Sequence, residues 1–492
     1  MSTVLRGSFI LSLALLLGRI SGFLRELLLA ARFGVSEAAD AAVLILTLPD
    51  LMVGVLLAGG FNAALVPALK KKNFAARQSL VFVVGVSSFG FLSILALTFF
   101  VWPNAVIGAF APALDITSEN GIVSSFRASL IAFPMAALIG VSVSYLNTVG
   151  KFSYAGLSVL IFNIILCAFL AIPGFSKWGV FGFGVAMIVA NFLRLSFQLG
   201  AMREVIFTPL NHVELVSLNF IRLFLYGIVS YALVVGAAVV FRTIHASGGD
   251  GELAAFNYAN KLFELPAALL VAPVATVFLP LLADNAQMEA GDFERKFLVA
   301  CGAAWALSLS SGLLGHQFIE LLVGLIYGYG SMSNAGLESI ASVAKIMVLA
   351  LPAYALFQMC SVALNARMQT LRVFLSTVFA LIAGLSVVYV LSAFSVENLA
   401  AYGFVSFLWS AAIMTLFSLQ LRFQTLADLG RQLGGSLVMI SLVVLIPVAL
   451  IEAFDDSSKL LSGLGFLVTA CLCGLVSLRH LRPLRSIQIS TT

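Results

Sequence analysis

The sequence predicts an all-α integral membrane protein of about 14 transmembrane helices, arranged as two pseudo-symmetric six-helix lobes with two further helices at the C-terminal end. Three observations carry that expectation. Hydrophobic residues make up 61% of the chain, charged residues 10%, and the mean hydropathy is +1.09, whereas an average soluble domain is roughly 25% charged. Such a chain cannot cover a globule with polar surface. Apolar runs of about 20 residues, the length that crosses a hydrocarbon core, recur from end to end with short polar breaks. A motif of the second run also returns about 215 residues later: Leu48-Pro49 followed by Val66-Pro67-Ala68-Leu69, then Leu265-Pro266 followed by Leu279-Pro280-Leu281-Leu282. Chance recurrence of Leu-Pro in a Leu-rich chain is the competing explanation.

Taken in order, the first run, 8–31, follows Arg6 and is interrupted by Arg19 and Arg25. No small-residue cleavage site follows it, so it is read as a retained helix and not a signal peptide. The second, 38–69, is entered through Ala39-Asp40-Ala41 and closed by Lys70-Lys71-Lys72. Runs 78–102, 123–149, 152–173 and 178–202 complete a first lobe, residues 1–210. Runs 220–244, 253–283, 293–325, 339–366, 371–393 and 400–421 form a second, residues 211–425. Runs 433–453 and 460–479 remain for the additional pair and tail, 426–492. An even count puts both termini on one side. Lys70, Lys71, Lys72, Arg77, Lys151, Arg203, Arg295, Lys296, Arg367, Arg372, Arg422 and Arg431 then share the loops of that side with Arg6, Arg479, Arg482 and Arg485, against Arg32, Lys177 and Lys459 opposite. The positive-inside rule makes both termini of this multi-pass chain cytoplasmic.

The net charge of +5 is thereby topological, and no nucleic-acid partner is expected. Cys167, Cys301, Cys360, Cys471 and Cys473 all fall in apolar runs and are read as small packing residues. His212, His245, His316 and His480 are scattered, without metal-ligand spacing. Neither Gly59-Gly60 nor Gly248-Gly249 forms a phosphate-binding loop; Gly59-Gly60 is read as permitting close helix packing. No catalytic residue, metal or cofactor is expected. The lysine run 70–72 is assigned to orientation, with contact to anionic lipid heads as its other reading.

Charges inside apolar runs cost roughly 2.5–3.5 kcal/mol each on insertion scales and usually face a bundle interior or a watery cavity. The first run holds Arg19, Arg25 and Glu26, with the two arginines about 9 Å apart along a helix axis and Ser21-Gly22 between them as a place to bend. The second holds Asp40 and the Leu48-Pro49-Asp50 break; the eighth holds Lys261 and Glu264, on one helical face. One reading is a polar cavity between the lobes, with Arg19, Arg25 and Lys261 as its cationic wall and Glu26, Asp40 and Glu264 as their partners. The other is buried ion pairing or snorkelling near helix ends. Arg127 is read as snorkelling, and Lys345 carries no assignment.

The stretch Gly18-Arg19-Ile20-Ser21-Gly22-Phe23-Leu24-Arg25-Glu26, with Ala30-Ala31-Arg32-Phe33-Gly34, Ala39-Asp40-Ala41, Leu48-Pro49-Asp50 and Phe61 through Val66-Pro67, resembles the opening of the MurJ (MviN) family, the lipid II flippases of the wider MOP exporter superfamily. Phe133-Pro134, Leu146-Asn147-Thr148, Phe152-Ser153 and Ala259-Asn260-Lys261-Leu262-Phe263-Glu264-Leu265-Pro266 extend the likeness. The resemblance implies a fourteen-helix, two-lobed transporter whose first, second, seventh and eighth helices line a central cationic cavity. It places the family's first-helix arginines on Arg19 and Arg25, its acidic neighbour on Glu26, its second-helix aspartate on Asp40 and its eighth-helix arginine on Lys261. The chain departs from the family at Thr47, Val53 and Gly54, where basic residues are common, and at Ala58, where a glutamate is typical. Its seventh and eleventh runs also lack the carboxylates of the sodium site reported for some members.

The function so implied is translocation of an undecaprenyl-pyrophosphate-linked oligosaccharide, lipid II, to the periplasmic leaflet by alternating access, with membrane lipid as the other partner and the chain acting as a monomer. No ATP-binding motif is present, and moving an anion out of a negative cytoplasm is favourable by about 2.3 kcal/mol per charge per 100 mV, so membrane potential or an ion gradient is the expected drive. The losses at Thr47, Val53 and Gly54 keep a second glycan, such as an exopolysaccharide unit, in contention. A MATE-type antiporter of cationic drugs, which calls for an acidic cavity, and a non-transporting scaffold are the remaining alternatives.

Overall fold

The computed structural model describes residues 3–115, 121–172, 178–210, 213, 216–275, 278, 282, 290–367, 369–453 and 469. Among them there is no strand. The long helices are α1 (Thr3–Phe33), α2 (Glu37–Lys70), α3 (Phe74–Val101), α4 (Ile122–Thr148), α5 (Phe152–Ala171), α6 (Gly179–Ala201), α7 (Leu218–His245), α8 (Glu252–Pro266), α9 (Ala290–Gln317), α10 (Asn334–Ala366), α11 (Thr370–Ser392), α12 (Leu399–Ser418) and α13 (Phe423–Ala453). They coincide in order with the first thirteen predicted spans; the span at 460–479 lies outside the described residues except for Thr469. Ten of the described helical stretches are long and apolar enough to cross a membrane.

Local chemistry sets the boundaries. The Ser36, Asn73 and Ser217 side chains each accept from the backbone amide three residues on, capping α2, α3 and α7. Prolines set the irregularities. Pro134 lacks the amide that would bond to the Leu130 carbonyl, and α4 breaks at 130–131. Pro352 does the same to Val348, where α10 tightens into a 3-10 turn at Val348–Ala350. The two Leu-Pro copies share a further trait: α2 passes beyond Pro49 into a π-helix over Val55–Leu65, and α8 passes beyond Pro266 into one over Ala267–Val271.

The described residues fall into two compact units: the chain through Ala254 with Tyr329–Ser333, and the remainder. In the first, α1 lies along α5, α5 along α6, α3 along α4, and α7 along the π-helical part of α2. Small residues at the start of α2, Ala39, Ala41 and Ala42, are fully buried and let its neighbours approach, and Phe61 fills the space left by Gly140 on α4. In the second unit, α11 and α12 form the most extensive pair, with α9, α10 and α13 beside them. Phe404 meets Phe256 and Phe263 edge-on there, and the Tyr327 hydroxyl donates to the Tyr258 carbonyl at 3.1 Å. Cys301 and Cys360 are buried free thiols and Cys167 is half-buried; Cys471 and Cys473 lie outside the described residues.

Apolar side chains also cover the outside. Phe91, Ile94 and Leu97 of α3 and Tyr389 of α11 are 63–81% exposed, a surface that suits hydrocarbon and not water. The loop cations assigned to topology do a second job. Arg77 donates to the Leu69 carbonyl (2.8 Å), Lys151 to Ala201 (2.9 Å), Arg372 to Ser418 (2.6 Å) and Arg367 to Leu419 (3.0 Å). Each covers a carbonyl left open at the end of an even-numbered helix, where a cation is also favoured by the helix dipole.

Candidate functional site

In the first unit the charged residues of α1 are held from α5. Arg25 is 7% exposed and Glu26 1%. The Arg25 Nη2 donates to Glu26 Oε1 at 2.8 Å, while Nη1 donates to Asn163 Oδ1 at 3.1 Å and stands 3.6 Å from Asp50 Oδ2. Asn163 fixes this geometry by spending its amide nitrogen on α1 itself, donating to the Gly18 carbonyl (3.2 Å) and Ser21 Oγ (3.0 Å). Helix α1 runs unbroken through Ser21-Gly22, and the Ser21 hydroxyl donates to Gly18.

A second buried guanidinium joins the cluster. Arg194 of α6 is 5% exposed, and its Nε has no hydrogen-bond partner in the structure. Its guanidinium lies 5.7 Å from the Phe162 ring centroid and that of Arg25 lies 5.8 Å from the same ring. Asp50, whose side chain is 42% exposed, interacts electrostatically with both cations. Two buried guanidiniums, Arg25 and Arg194, thus share Phe162 and the half-exposed Asp50, with Glu26 as a second carboxylate on Arg25.

The other predicted residues are placed differently. Arg19 is exposed on α1; six residues separate it from Arg25, which turns it about 120° around the helix. Asp40 is buried, but its acceptors serve backbone and not a cation: Oδ2 accepts from Gly251 N and Oδ1 from Ala254 N, each at 2.7 Å. It thus caps the start of α8. Beside that cap, Glu252 pairs with His245 at 2.8 Å. In the second unit Lys261 and Glu264 meet as their spacing predicts, at 2.7 Å, and Asn260 steadies Glu264 at 2.6 Å; the Lys261 side chain is 25% exposed and that of Glu264 48%.

Sequence reasoning missed three contributors. Arg194 carried a usable signal, a charge in the middle of the 178–202 run. Asn163 carried none, being one amide among many polar residues in apolar runs. Arg242, near the end of α7, donates to Thr47 Oγ1 at 3.0 Å, so a guanidinium reaches the position where the resembled family is commonly basic. Among the described residues no cluster of His, Cys, Asp and Glu has the makings of a metal site.

Comparison with known proteins gives a consistent result. The family model "Lipid II flippase MurJ" matches residues 29–464. The lipid II flippase MurJ of Burkholderia cenocepacia is 26% identical over 332 residues, 64% of either chain. Probable lipid II flippases MurJ of Rhizobium tropici and Thermotoga maritima are 26% and 23% identical, over 72% and 74% of this chain and 69% and 75% of theirs. The chain thus spans slightly less than two thirds of the Burkholderia relative. Among solved structures, a lipid II flippase MurJ in an inward closed conformation superimposes with a TM-score of 0.80 at 18% identity, over 97% of this chain and 99% of that one. An inward-facing multidrug-resistance MATE transporter of the MOP superfamily gives 0.66 at 16% identity, over 83% and 95%. These two likenesses establish the fold.

Proposed function

The chain belongs to the MurJ family of lipid II flippases, and on that premise we propose that it carries lipid II, a polyprenyl-diphosphate-linked cell-wall precursor, from the cytoplasmic to the periplasmic leaflet by alternating access. The observation that carries the reading is the buried Arg25 guanidinium, with one nitrogen on Glu26 and the other on Asn163 beside half-open Asp50. A diphosphate cannot cross hydrocarbon unaided. Guanidinium and ammonium groups, Arg25 in the first unit and Lys261 in the second, replace the water and counterions it sheds. When no substrate is bound, Glu26, Asp50 and Glu264 hold those cations. Arg19 meets the head group on entry, and Asp40 acts as a positioning residue by setting the start of the helix that bears Lys261. Outward movement of an anion runs with an inside-negative potential.

The same reading puts the protein in the inner membrane with both termini cytoplasmic, working as a monomer whose lobes, 1–210 and 211–425, alternate while 426–492 flanks them. A different carrier-linked glycan is the second reading, favoured by the uncharged Thr47, Val53 and Gly54; Arg242 on Thr47 and Arg194 beside Arg25 offset that loss in part. Cavity cations weigh against a drug antiporter. In a strain depleted of its own lipid II flippase, the chain is expected to restore growth, and Arg25→Ala or Lys261→Ala, produced at equal level, to fail. Normal growth with both variants overturns the proposal.

A further inference from the structure

Helices α2 and α7 touch backbone to backbone at one level and part at another. A Cβ on Gly59 would stand 2.7 Å from the Gly227 carbonyl oxygen, and a Cβ on Gly227 2.5 Å from that of Gly59. No side chain fits between the helices there. Toward the end of α2 that bears the lysines the helices diverge and leave a crevice of about 320 Å³. Pro67, Leu80, Phe220 and Leu223 give it apolar walls, and Lys71 and Lys72 stand at its rim.

Lys71 and Lys72 both line the crevice, in the turn that follows α2. Arg77 and the Lys72 amide already cover the Leu69 carbonyl, and the Ser217 hydroxyl is committed to the Phe220 amide. We propose that this crevice binds the phosphate of an anionic phospholipid, with Lys71 and Lys72 on the head group and the apolar walls against the start of an acyl chain. The shared chemistry is a phosphate anion. The lipid is the source because the crevice lies where a membrane span ends, at head-group depth, and because most of its lining is apolar. The site is separate from the Arg25 cluster and stands whatever the transported substrate is.

The test uses the purified full-length chain and compares phosphatidylglycerol, phosphatidylcholine and inorganic phosphate by native mass spectrometry and thermal unfolding. Phosphatidylglycerol is expected to stay bound and raise the unfolding temperature, and the other two are not. Lys71→Gln with Lys72→Gln is expected to weaken its retention about 30-fold, equivalent to about 1 kcal/mol per lysine. Lys71→Arg with Lys72→Arg keeps the binding. Lys70→Gln, which removes a neighbouring charge that does not line the crevice, also leaves it intact. Ala68→Trp fills the crevice without altering charge and abolishes retention, which covers the case in which the double Gln variant does not fold. Equal retention of phosphatidylcholine, an equal effect of inorganic phosphate, no loss in the double Gln variant or Ala68→Trp, or an equal loss in Lys70→Gln each overturns the proposal.

Discussion

Arg25 and Glu26 are neighbours in sequence and partners in space, and both are almost wholly buried. Removing one member of a buried pair strands the other, at a cost of about 3–5 kcal/mol. Glu26→Ala and Arg25→Ala are therefore each expected to lower the melting temperature in detergent relative to the parent chain. Melting temperatures equal to the parent's would show that the pair is wet. Arg194 invites the opposite result. Its Nε is buried without a hydrogen-bond partner, and replacing a poorly compensated charge by an apolar side chain of similar volume is commonly neutral or stabilising. Arg194→Met is expected to unfold at the same or a higher temperature while transporting more slowly, as a functional cation should; unchanged transport would leave Arg194 without a role. Asp40→Ala removes two charge-assisted bonds to backbone, each contributing about 1.5–3 kcal/mol, whereas Asp40→Asn retains an acceptor oxygen and is expected to lose less, as denaturation of the two variants can establish. These residues divide by how they were legible. Charges inside apolar runs announce themselves, so Arg25, Glu26, Lys261 and Glu264 were visible. The partner that Asp40 chose was not, because backbone amides leave no mark in a sequence, and the helix face on which Arg19 sits depends on which neighbour packs against α1.

Among the helices, the ends were more legible than the interiors. Serine, asparagine and proline mark starts and breaks through their own hydrogen bonding, and the loop lysines and arginines mark ends through the carbonyls they cover. The π-helical stretch of α2 has no comparable signature. Gly59-Gly60 hinted at close packing, and the structure supplies the partner, Gly227 of α7. Gly227→Val places methyl groups against the Gly59 carbonyl and is expected to force α7 away from α2. Cysteines introduced across that contact should then cross-link less efficiently than in the glycine parent. Undiminished cross-linking would mean that the helices do not meet there. The Leu-Pro repeat, legible only as a pattern, acquires physical content from the π-helix that follows each copy.

For the molecule as a whole, composition alone excluded a water-soluble globule, and the exposed apolar faces of α3 and α11 bear that out. The family follows from the match over residues 29–464; the substrate is the proposal, and it rests on Arg25 and Lys261 as the groups that receive an anion. The most direct test follows lipid II itself. In cells depleted of their own flippase, lipid II exposed on the periplasmic face is measured with the chain or with Arg25→Ala supplied at equal abundance. Exposure restored by the chain and absent with the variant is the predicted result. Exposure equal in the two, or lipid II held inside while another carrier-linked glycan appears outside, contradicts it.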